Sequence, residues 1–310
     1  MKKERLVVLL GPTAVGKTAL SLALAERLGA EIVSGDSMLF YRGFDIGSAK
    51  PTREERARVP HHFIDILAPA ASFNVMDFQR LAREEIHRIA ARGKLPLVVG
   101  GTGLYIKSLV EGYIFNETSG DAAYRESLAA LAEEKGKAFV HELLREVDPQ
   151  AAARLHVNDF RRVVRALEVA SSGRERISAQ RAAGEGELFY DAYVIGLRRE
   201  RQELYARIEE RVEAMLAAGF IEEVQSLLQA GVPASCQAMK SIGYREMCAY
   251  LAGRTDLSTA VSEIKKATRH FAKRQLTWFR KMPYVHWYAA EQEEAVLLAR
   301  IGRDIERFFA

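Results

Sequence analysis

Short apolar runs bounded by glycine or polar residues alternate with stretches of helical periodicity over the first hundred residues. Runs of four to eight apolar residues predict buried strands, and the periodic stretches between them predict helices. Strands that alternate with helices predict a parallel sheet with crossover helices. The predicted strands are Arg5–Leu10, Glu31–Ser34, His62–Leu67 and Leu95–Val99, and the predicted helices are Lys17–Leu28, closed by Gly29, and Asn74–Arg92, closed by Gly93.

The pattern changes after about Asn116, where helical periodicity continues without a strand pattern. The following segment is predicted to be helical, and strand character returns only near residue 193. The fold class predicted is therefore α/β, with a parallel-sheet core of residues 1–116 and 192–310 and an all-helical insertion at 117–191. The assignments are helices over Tyr124–Ser171 with breaks at Gly136 and Asp148-Pro149, a loop at Ala183–Glu187, strands at Tyr193–Leu197 and Tyr284–Tyr288, and mainly helices from Glu200.

The first predicted strand and helix are joined by a sequence that fits G-x-x-x-x-G-K-[ST], the pattern of a phosphate-binding loop. A random chain of this length would contain it roughly one time in a hundred. Backbone N–H groups of such a loop surround phosphate oxygens, a lysine supplies positive charge, and the final hydroxyl can bind Mg²⁺. The pattern predicts a polyphosphate ligand without specifying a nucleotide. Its residues are Gly11, Pro12, Thr13, Ala14, Val15, Gly16, Lys17 and Thr18, with Thr18 as the metal ligand.

The strand Leu95–Val99 ends in Gly100-Gly101-Thr102-Gly103, whereas nucleotide hydrolases usually end a later strand in a Mg²⁺-binding aspartate. Asp65 is a possible substitute, and it is equally well explained as a polar residue near a strand end. This difference weakens the interpretation as a nucleotide hydrolase.

Asp36 follows the second predicted strand, so it should face the phosphate loop, with Thr102 beside it, because the carboxyl ends of parallel strands converge. A carboxylate so close to a diphosphate is repelled by it, which makes Asp36 a better base for an acceptor group than a phosphate ligand. Asp36 could equally cap the turn that follows. The spacing alone leaves both interpretations open.

Two segments are strongly basic. Ile264–Lys281 contains seven Lys or Arg residues and no acid, and its aromatic pair Trp278-Phe279 could stack on bases. Arg161, Arg162 and Arg165 form a second cluster in the insertion. Phosphate contacts combined with aromatic surfaces are typical of RNA binding. A solvated basic face explains a single run well, but two runs beside a phosphate loop favour an RNA partner.

Composition restricts the class of protein without naming it. The 310 residues are 48% hydrophobic, with 45 basic against 41 acidic side chains, which is compatible with a large folded core. Two cysteines without a CxxC spacing indicate neither a zinc site nor a disulfide framework. The N-terminal apolar run is too short to span a membrane and lacks a signal cleavage site. We therefore expect a cytoplasmic protein with no membrane contact and no obligate protein partner.

Taken together, these motifs resemble the tRNA dimethylallyltransferase family of bacterial type, also called tRNA isopentenyltransferases. The resemblance covers nearly the whole chain, with one small departure at His156-Val157-Asn158-Asp159, where the family usually has proline after histidine. The motifs that carry it are GPTAVGKT, SGDSMLFYRGFDIGSAKP, VVGGTGLYIKSL, VDPQAAARLHVNDFRRVVRALEV, LYARIEERVEAML, KSIGYREM and AKRQLTWFRK.

The resemblance implies a P-loop core, transfer of a dimethylallyl group from dimethylallyl diphosphate to the N6 amine of the adenosine just 3′ of the anticodon, and Mg²⁺ as cofactor. Asp36 would accept the N6 proton, Thr102 would touch the flipped adenosine, and Arg207 would stabilise the diphosphate. The insertion would act as a swinging clamp. The implied tRNA contacts are Asp36, Ser37, Met38, Leu39, Thr102, Arg161, Arg162, Val163, Val164, Arg165, Lys240, Ser241, Ile242, Gly243, Tyr244, Arg245, Lys273, Arg274, Gln275, Trp278 and Arg280.

Three other functions remain open at this point. One is a P-loop kinase for a small molecule or nucleoside, and another is a non-catalytic RNA-binding ATPase. A third is prenyl transfer to free adenine nucleotides, although the basic insertion and the Ile264–Lys281 segment favour RNA as the acceptor.

Overall fold

The computed structural model of the protein describes residues 3–115, 121–171 and 187–310. Most of the predicted loop at 183–187 lies outside these residues. The strands are β1 (Arg5–Leu10), β2 (Ala30–Ser34), β3 (His61–His62), β4 (Leu95–Gly100), β5 (Asp191–Arg198) and β6 (Val285–Ala289). The helices are α1 (Lys17–Leu28), α2 (Arg53–Arg58), α3 (Val75–Ala91), α4 (Gly103–Val110), α5 (Ala122–Lys135), α6 (Lys137–Val147), α7 (Pro149–Arg154), α8 (Phe160–Ser171), α9 (Arg201–Ala217), α10 (Phe220–Gln229), α11 (Tyr244–Leu251), α12 (Leu257–Phe279) and α13 (Glu294–Phe309).

All six strands form one parallel sheet in the order β3-β2-β4-β1-β5-β6, which confirms the predicted α/β class. The register pairs Leu10 of β1 with Gly100 of β4 and with Gly196 of β5. The strands β2, β4 and β1 are adjacent, so the loops that follow them meet at one edge of the sheet.

The central strand β1 supplies both hydrophobic faces of the sheet. Leu6, Val8 and Leu10 belong to one buried cluster, together with α3 and α4. Val7 and Leu9 belong to the cluster on the other side, together with α1 and α13. This alternation reflects the two-residue period of a strand, and it explains why β1 has an unbroken apolar sequence.

A separate cluster of buried side chains holds the C-terminal helices together. It includes Val212 of α9, Phe220 of α10, Tyr244 of α11 and Ile264 of α12, and it also receives Phe44 from the loop after β2. This packing fixes α9 and α12 relative to the loop that follows β2.

Residues 111–187 form a compact unit of their own, and the remaining residues form the other unit. These bounds fall a few residues before the predicted limits of 117 and 191. Residues 188–190 belong to the core unit, where Phe189 N–H donates to Val110 O at 2.9 Å. Within the insertion, α5 to α8 pack around Leu128, Val140, Leu144 and Val163.

The prediction of a strand over His62–Leu67 is wrong beyond His62. Phe63 and Asp65 have φ angles of 66° and 59°, which an extended strand cannot accommodate. Only His61 and His62 pair with β2, and Leu67 forms an isolated bridge with Tyr41. The short helix α4, by contrast, is not indicated by the hydrophobic pattern, because eight residues are too few to show a clear period.

None of the helices in the three described segments combines the length and the apolar character needed to cross a membrane.

Candidate active site

A cavity of about 920 Å³ opens at the carboxyl ends of the strands. The loops that follow β1 and β2 line it, together with Val99 and Gly100 at the end of β4 and residues of α9 and α12. Thr13, Lys17 and Thr18 of the phosphate loop lie on its wall, and so does Asp36 from the loop after β2. The structure thus brings the predicted diphosphate site and Asp36 into one cavity.

The backbone of the phosphate loop takes positive φ angles at two positions. Gly16 has a φ angle of 110°, in the region that favours glycine, and Ala14 has one of 63°, in a region that residues with a side chain adopt less readily. Lys17 Nζ donates to the carbonyl oxygens of Gly11 and Pro12, both at 2.9 Å. The loop therefore surrounds its own lysine and leads directly into the N-terminus of α1, which carries no acidic residue in its first turn.

The electrostatics around Lys17 favour an anionic ligand. Burial lowers the pKa of Lys17 to about 8, an effect that the charge of Asp36 opposes and that of Arg211 reinforces. A lysine that is desolvated in this way gains most from a bound anion, because the anion restores the interactions that its ammonium lost to burial.

Two arginines of α9, one helical turn apart, reach the same cavity. Arg207 is exposed, and its Nε donates to Ala14 O of the phosphate loop at 2.9 Å. Arg211 is more enclosed: its Nη2 lies 3.4 Å from Ser48 O, and burial lowers its pKa while the charge of Asp36 opposes that shift. Arg211 was not among the residues predicted from the sequence, although the four-residue spacing from Arg207 places both on one helix face.

Asp36 follows β2 at the rim of the cavity and is half-buried. Its Oδ1 accepts the Met38 N–H at 3.0 Å, which is the capping interaction considered from the sequence. Across the described residues no donor contacts the second oxygen, Oδ2. The cap uses one oxygen, so it does not compete with a role for Asp36 as a base. The next three residues, Ser37, Met38 and Leu39, are also half-buried and line the cavity.

Thr102 supports the loop that carries Asp36. Its Oγ1 accepts the Ser37 N–H at 3.2 Å and lies 3.4 Å from Ser37 Oγ. It is not one of the residues that line the cavity. The close approach of the two loops explains the glycine at position 100, because a Cβ there would lie 2.4 Å from the backbone of Gly35.

Gln275, expected from the resemblance to contact tRNA, is buried, with 4% of its surface exposed. Its Oε1 accepts the Thr13 N–H and its Nε2 donates to Gly101 O, both at 2.9 Å. Both ends of its amide are therefore engaged within the protein, at a position that borders the cavity.

The segment 240–245 contributes unevenly to the cavity. Lys240, Ser241, Ile242 and Gly243 line it. Tyr244 does not fit the expected tRNA contact, because it is buried and its hydroxyl donates to Glu223 Oε1 at 2.6 Å. Arg245 is exposed and pairs with Glu246.

Helix α12 divides its basic residues into two groups. Lys265 and Arg269 pair with Glu213 and Glu209 of α9, and Lys266 pairs with Glu263. Lys273, Arg274 and Arg280 are exposed, and no carboxylate of the described residues lies within 4 Å of them. The aromatic pair also divides: Trp278 is half-buried, whereas Phe279 is fully buried and cannot stack on a base.

The insertion shows the same division within five residues of α8. Arg161 and Arg162 are exposed, and Arg162 pairs with Asp159 at 3.0 Å. Val163 and Val164 are buried in the helical core of the insertion, so their side chains are unsuited to the expected tRNA contact. Arg165 bonds to the buried carboxylate of Glu168 at 2.7 Å.

Asp65 does not take the place of the missing strand-end aspartate. Its carboxylate bonds to Lys50 at 2.5 Å and to Arg56 at 2.9 Å. Burial alone would raise the pKa of Asp65, but these two cations outweigh burial and lower it. The structure thus supports the structural interpretation of Asp65.

No group of three or more His, Cys, Asp or Glu side chains that could hold a metal ion occurs in the described parts of the chain. The oxygen-bearing side chains on the cavity wall include the Thr18 hydroxyl and the Asp36 carboxylate. Hydroxyl and carboxylate oxygens suit Mg²⁺, which commonly takes its other ligands from substrate phosphates and water. The residues present are therefore compatible with Mg²⁺ bound jointly with a diphosphate.

A glycine-rich loop between the first strand and helix of a parallel sheet, with a lysine inside it, defines a P-loop protein. Comparison with known families then narrows this class. The sequence profile described as "IPP transferase" matches residues 39–282, and that described as "Isopentenyl transferase" matches residues 4–73. The first match covers more than half of the chain, so the protein belongs to the IPP transferase family.

Related proteins extend over nearly the full length. A tRNA dimethylallyltransferase of Geobacillus thermodenitrificans is 50% identical over 304 residues, covering 97% of this chain and 96% of the relative. One from Bacillus cytotoxicus is 49% identical over 305 residues, covering 98% and 96%.

Solved structures show the same similarity. The crystal structure of a full-length tRNA isopentenylpyrophosphate transferase from Bacillus halodurans matches with a TM-score of 0.75 and 43% identity, covering 99% of this chain and 97% of that one. A eukaryotic dimethylallyltransferase acting on tRNA matches with a TM-score of 0.74 and 26% identity, covering 93% and 74%.

Proposed function

We propose that the protein is a tRNA dimethylallyltransferase. It transfers the dimethylallyl group of dimethylallyl diphosphate to the N6 amine of the adenosine 3′-adjacent to the anticodon and releases diphosphate. It acts in the cytoplasm, where unmodified tRNA is found.

The observation that carries this proposal is the cavity that joins Lys17 and Arg211 to the carboxylate of Asp36. The two cations suit a diphosphate, and the carboxylate suits an acceptor that must lose a proton. A kinase would also use the phosphate loop, but β4 ends in glycine and Asp65 is held by Lys50 and Arg56. We therefore favour a diphosphate that leaves as a unit over a phosphoryl donor.

On the donor side, the loop amides and Lys17 hold the diphosphate, with Arg207 and Arg211 at its outer end. Thr18 would hold Mg²⁺ together with diphosphate oxygens, and the ion would neutralise part of the negative charge on the leaving group. These cations stabilise the charge that develops when the bond between C1 and the diphosphate oxygen breaks.

On the acceptor side, Asp36 acts on the exocyclic amine. The lone pair of N6 is delocalised into the adenine ring, so the amine is a weak nucleophile. As N6 forms its bond to C1, its proton passes to Asp36 Oδ2, the oxygen that the cap leaves free. The adenosine must leave the base stack to reach this position, as targets of base-modifying enzymes generally do.

Each unit carries proposed tRNA contacts of its own. Those of the core unit are Lys240, Lys273, Arg274, Trp278 and Arg280, which are exposed or half-buried. Those of the insertion are Arg161 and Arg162, which are exposed. Phosphate contacts by such side chains make affinity for RNA strongly dependent on salt concentration.

The direct test is incubation with labelled dimethylallyl diphosphate and unmodified tRNA, with ATP as the alternative donor. We expect label to enter tRNA at the adenosine next to the anticodon. Steady ATP turnover without transfer of the prenyl label would instead identify a phosphoryl-transfer enzyme or an ATPase.

Asp36→Asn tests the role of the carboxylate. The amide oxygen still accepts the Met38 N–H but cannot take the proton, so we expect turnover to fall by roughly a hundred- to ten-thousand-fold. Asp256→Asn is the matched control, because Asp256 caps α12 through Thr259 N–H at 2.9 Å and asparagine caps equally well. If Asp36→Asn transfers the prenyl group at the parental rate, Asp36 is only a cap.

A further inference from the structure

Three loops follow the adjacent strands β2, β4 and β1 and meet at the edge of the sheet that carries the candidate active site. The loop after β1 binds the diphosphate in the proposed function, and the loop after β2 carries Asp36. The loop after β4 contains Gly101 and Thr102 and lies between the other two. Transfer requires the donor carbon and Asp36 to be held at a fixed separation, so the contacts among these loops are mechanistically important.

One side chain from α12 connects two of these loops. Gln275 accepts the Thr13 N–H of the phosphate loop through Oε1 and donates to Gly101 O through Nε2, both at 2.9 Å. The contact is closely packed, because a Cβ on Gly101 would lie 2.3 Å from Gln275 Nε2. Both ends of the amide are thus engaged, at a position where only 4% of the residue surface is exposed.

The connection continues from the middle loop to the loop of Asp36. Thr102, next to Gly101, accepts the Ser37 N–H at 3.2 Å and lies 3.4 Å from the Ser37 hydroxyl. Gly35 N–H also donates to Val99 O at 2.8 Å. Hydrogen bonds therefore connect Thr13 to Gln275 and Gln275 to Gly101, and Thr102, which is bonded to Gly101 along the chain, continues the connection to Ser37 beside Asp36.

We infer that Gln275 is a positioning residue that holds the phosphate loop in register with the loop carrying Asp36. This inference rests on the proposed function. Gln275 borders the cavity, but both ends of its amide are committed to Thr13 and Gly101, so it acts by fixing two loops against each other. Catalysis is sensitive to such placement, because a shift of about 1 Å in the relative position of reacting groups can cost about a hundredfold in rate.

The diagnostic variant is Gln275→Met, which keeps the length of the side chain and most of its packing but removes both hydrogen bonds. We expect the single-turnover rate of prenyl transfer to fall about ten- to a hundredfold, while the KM for dimethylallyl diphosphate changes less than about threefold. The matched control is Thr277→Ala, two residues along the same helix, where an exposed hydroxyl only bonds to Lys273 O. We expect this control to behave like the parent.

A double-mutant cycle separates positioning from a general loss of stability. Thr102→Val breaks the next contact in the same series, so the combined variant should lose less rate than the product of the two single losses. The inference would be overturned if the rate loss of the double variant equalled the product of the two single losses. It would also be overturned if Gln275→Met transferred the prenyl group at the parental rate.

A second readout does not depend on the substrate. Hydrogen exchange of the segment 11–18 should accelerate in Gln275→Met and stay parental in Thr277→Ala, because the Thr13 amide loses its acceptor. Unchanged exchange would overturn the inference even if prenyl transfer is confirmed. If the parental protein transfers no prenyl group, the proposed function fails, and the exchange result alone decides whether Gln275 holds the loop.

Discussion

Two lysines next to the same cavity differ in how their charge is satisfied. Lys50, whose side chain is 2% exposed, bonds to Tyr41 O at 2.8 Å and to the carboxylates of Asp45 and Asp65, both at 2.5 Å. Lys17 bonds only to two backbone carbonyls, and no carboxylate of the described chain lies within 4 Å of its ammonium. Both are enclosed cations, but only Lys50 is in contact with carboxylates of the protein.

This difference distinguishes a structural cation from a binding site. The charge of Lys50 is neutralised on folding, so it holds the loop that contributes Gly47, Ser48 and Ala49 to the cavity wall. The charge of Lys17 is desolvated without being neutralised, which is why its pKa falls to about 8. The cation that lacks a carboxylate is the one suited to a substrate anion.

The largest expected effect concerns Lys50. Lys50→Met should lower the free energy of unfolding by about 3 kcal/mol, because it removes the buried member of two ion pairs and leaves the partly exposed carboxylates of Asp45 and Asp65 without it. The value lies at the low end of the usual range, since Asp45 is 61% exposed and Asp65 retains Arg56. Denaturant titration measures the change, with the exposed Lys94→Met as control. A loss below about 1 kcal/mol would remove the structural role assigned to Lys50.

Lys17→Met should weaken diphosphate binding strongly and change the stability of the protein little, in contrast to Lys50→Met. Hydrogen bonds to charged groups contribute about 1.5–3 kcal/mol, so affinity for inorganic diphosphate should fall roughly ten- to a hundredfold in calorimetric titration. The free energy of unfolding should hardly fall, because the variant loses a cation that burial already disfavours. Lys17→Arg retains the charge and serves as control. A Lys17→Met variant that binds diphosphate normally would contradict the comparison.

The lowered pKa of Lys17 also predicts a dependence on pH. A bound diphosphate favours the ammonium, so its affinity should decrease as pH rises above about 8, by up to tenfold per unit. The stability of the free protein should change in the opposite direction. Between pH values of about 8 and 10.5, the folded protein has lost the Lys17 proton while the unfolded chain still binds it. The free energy of unfolding should therefore increase as pH rises through this range. Titration with diphosphate from pH 7 to 10 tests the predicted decrease in affinity. Lys17→Arg should not show the part of this decrease that comes from Lys17, because arginine stays charged.

The smallest expected effect extends the comparison to α12. Arg274 has no carboxylate partner in the described residues, whereas Arg269 is paired with Glu209 at 2.6 Å. Arg274→Ala should weaken tRNA binding and reduce the slope of log affinity against log salt by about one. Arg269→Ala should change that slope less, because its charge is already compensated. Equal slopes for the two variants would show that pairing within the protein does not select the tRNA contacts.

Features formed by contiguous residues could be predicted from the sequence. The sequence predicts the strand β1 and the helix α1 with the bounds that the structure has, and it predicts the phosphate loop that joins them. Buried strands need apolar residues, the turn needs Gly16 at a positive φ, and Gly29 ends the helix with a φ of 58°. Each of these requirements is imposed by local stereochemistry, so each leaves a local pattern.

Features imposed by distant residues were not predictable in the same way. The segment His62–Leu67 has the composition of a strand, yet Lys50 and Arg56 hold Asp65 in a turn. Arg211 belongs to the site only because α9 packs where its guanidinium reaches the cavity of Lys17 and Asp36. The periodic pattern of hydrophobic residues in a single sequence does not reveal either of these long-range contacts.

The sequence by itself determined the α/β class, the phosphate loop and the strand-end position of Asp36, because these depend on local periodicity and on the geometry of parallel strands. Only the tertiary structure decided which members of a motif face the site and which support it. Gln275, Tyr244, Val163 and Phe279 lie in motifs expected to contact tRNA or in the basic aromatic segment, yet all four are buried. Burial depends on what packs against a side chain from elsewhere in the chain, so neighbouring residues such as Arg274 and Gln275 have different roles.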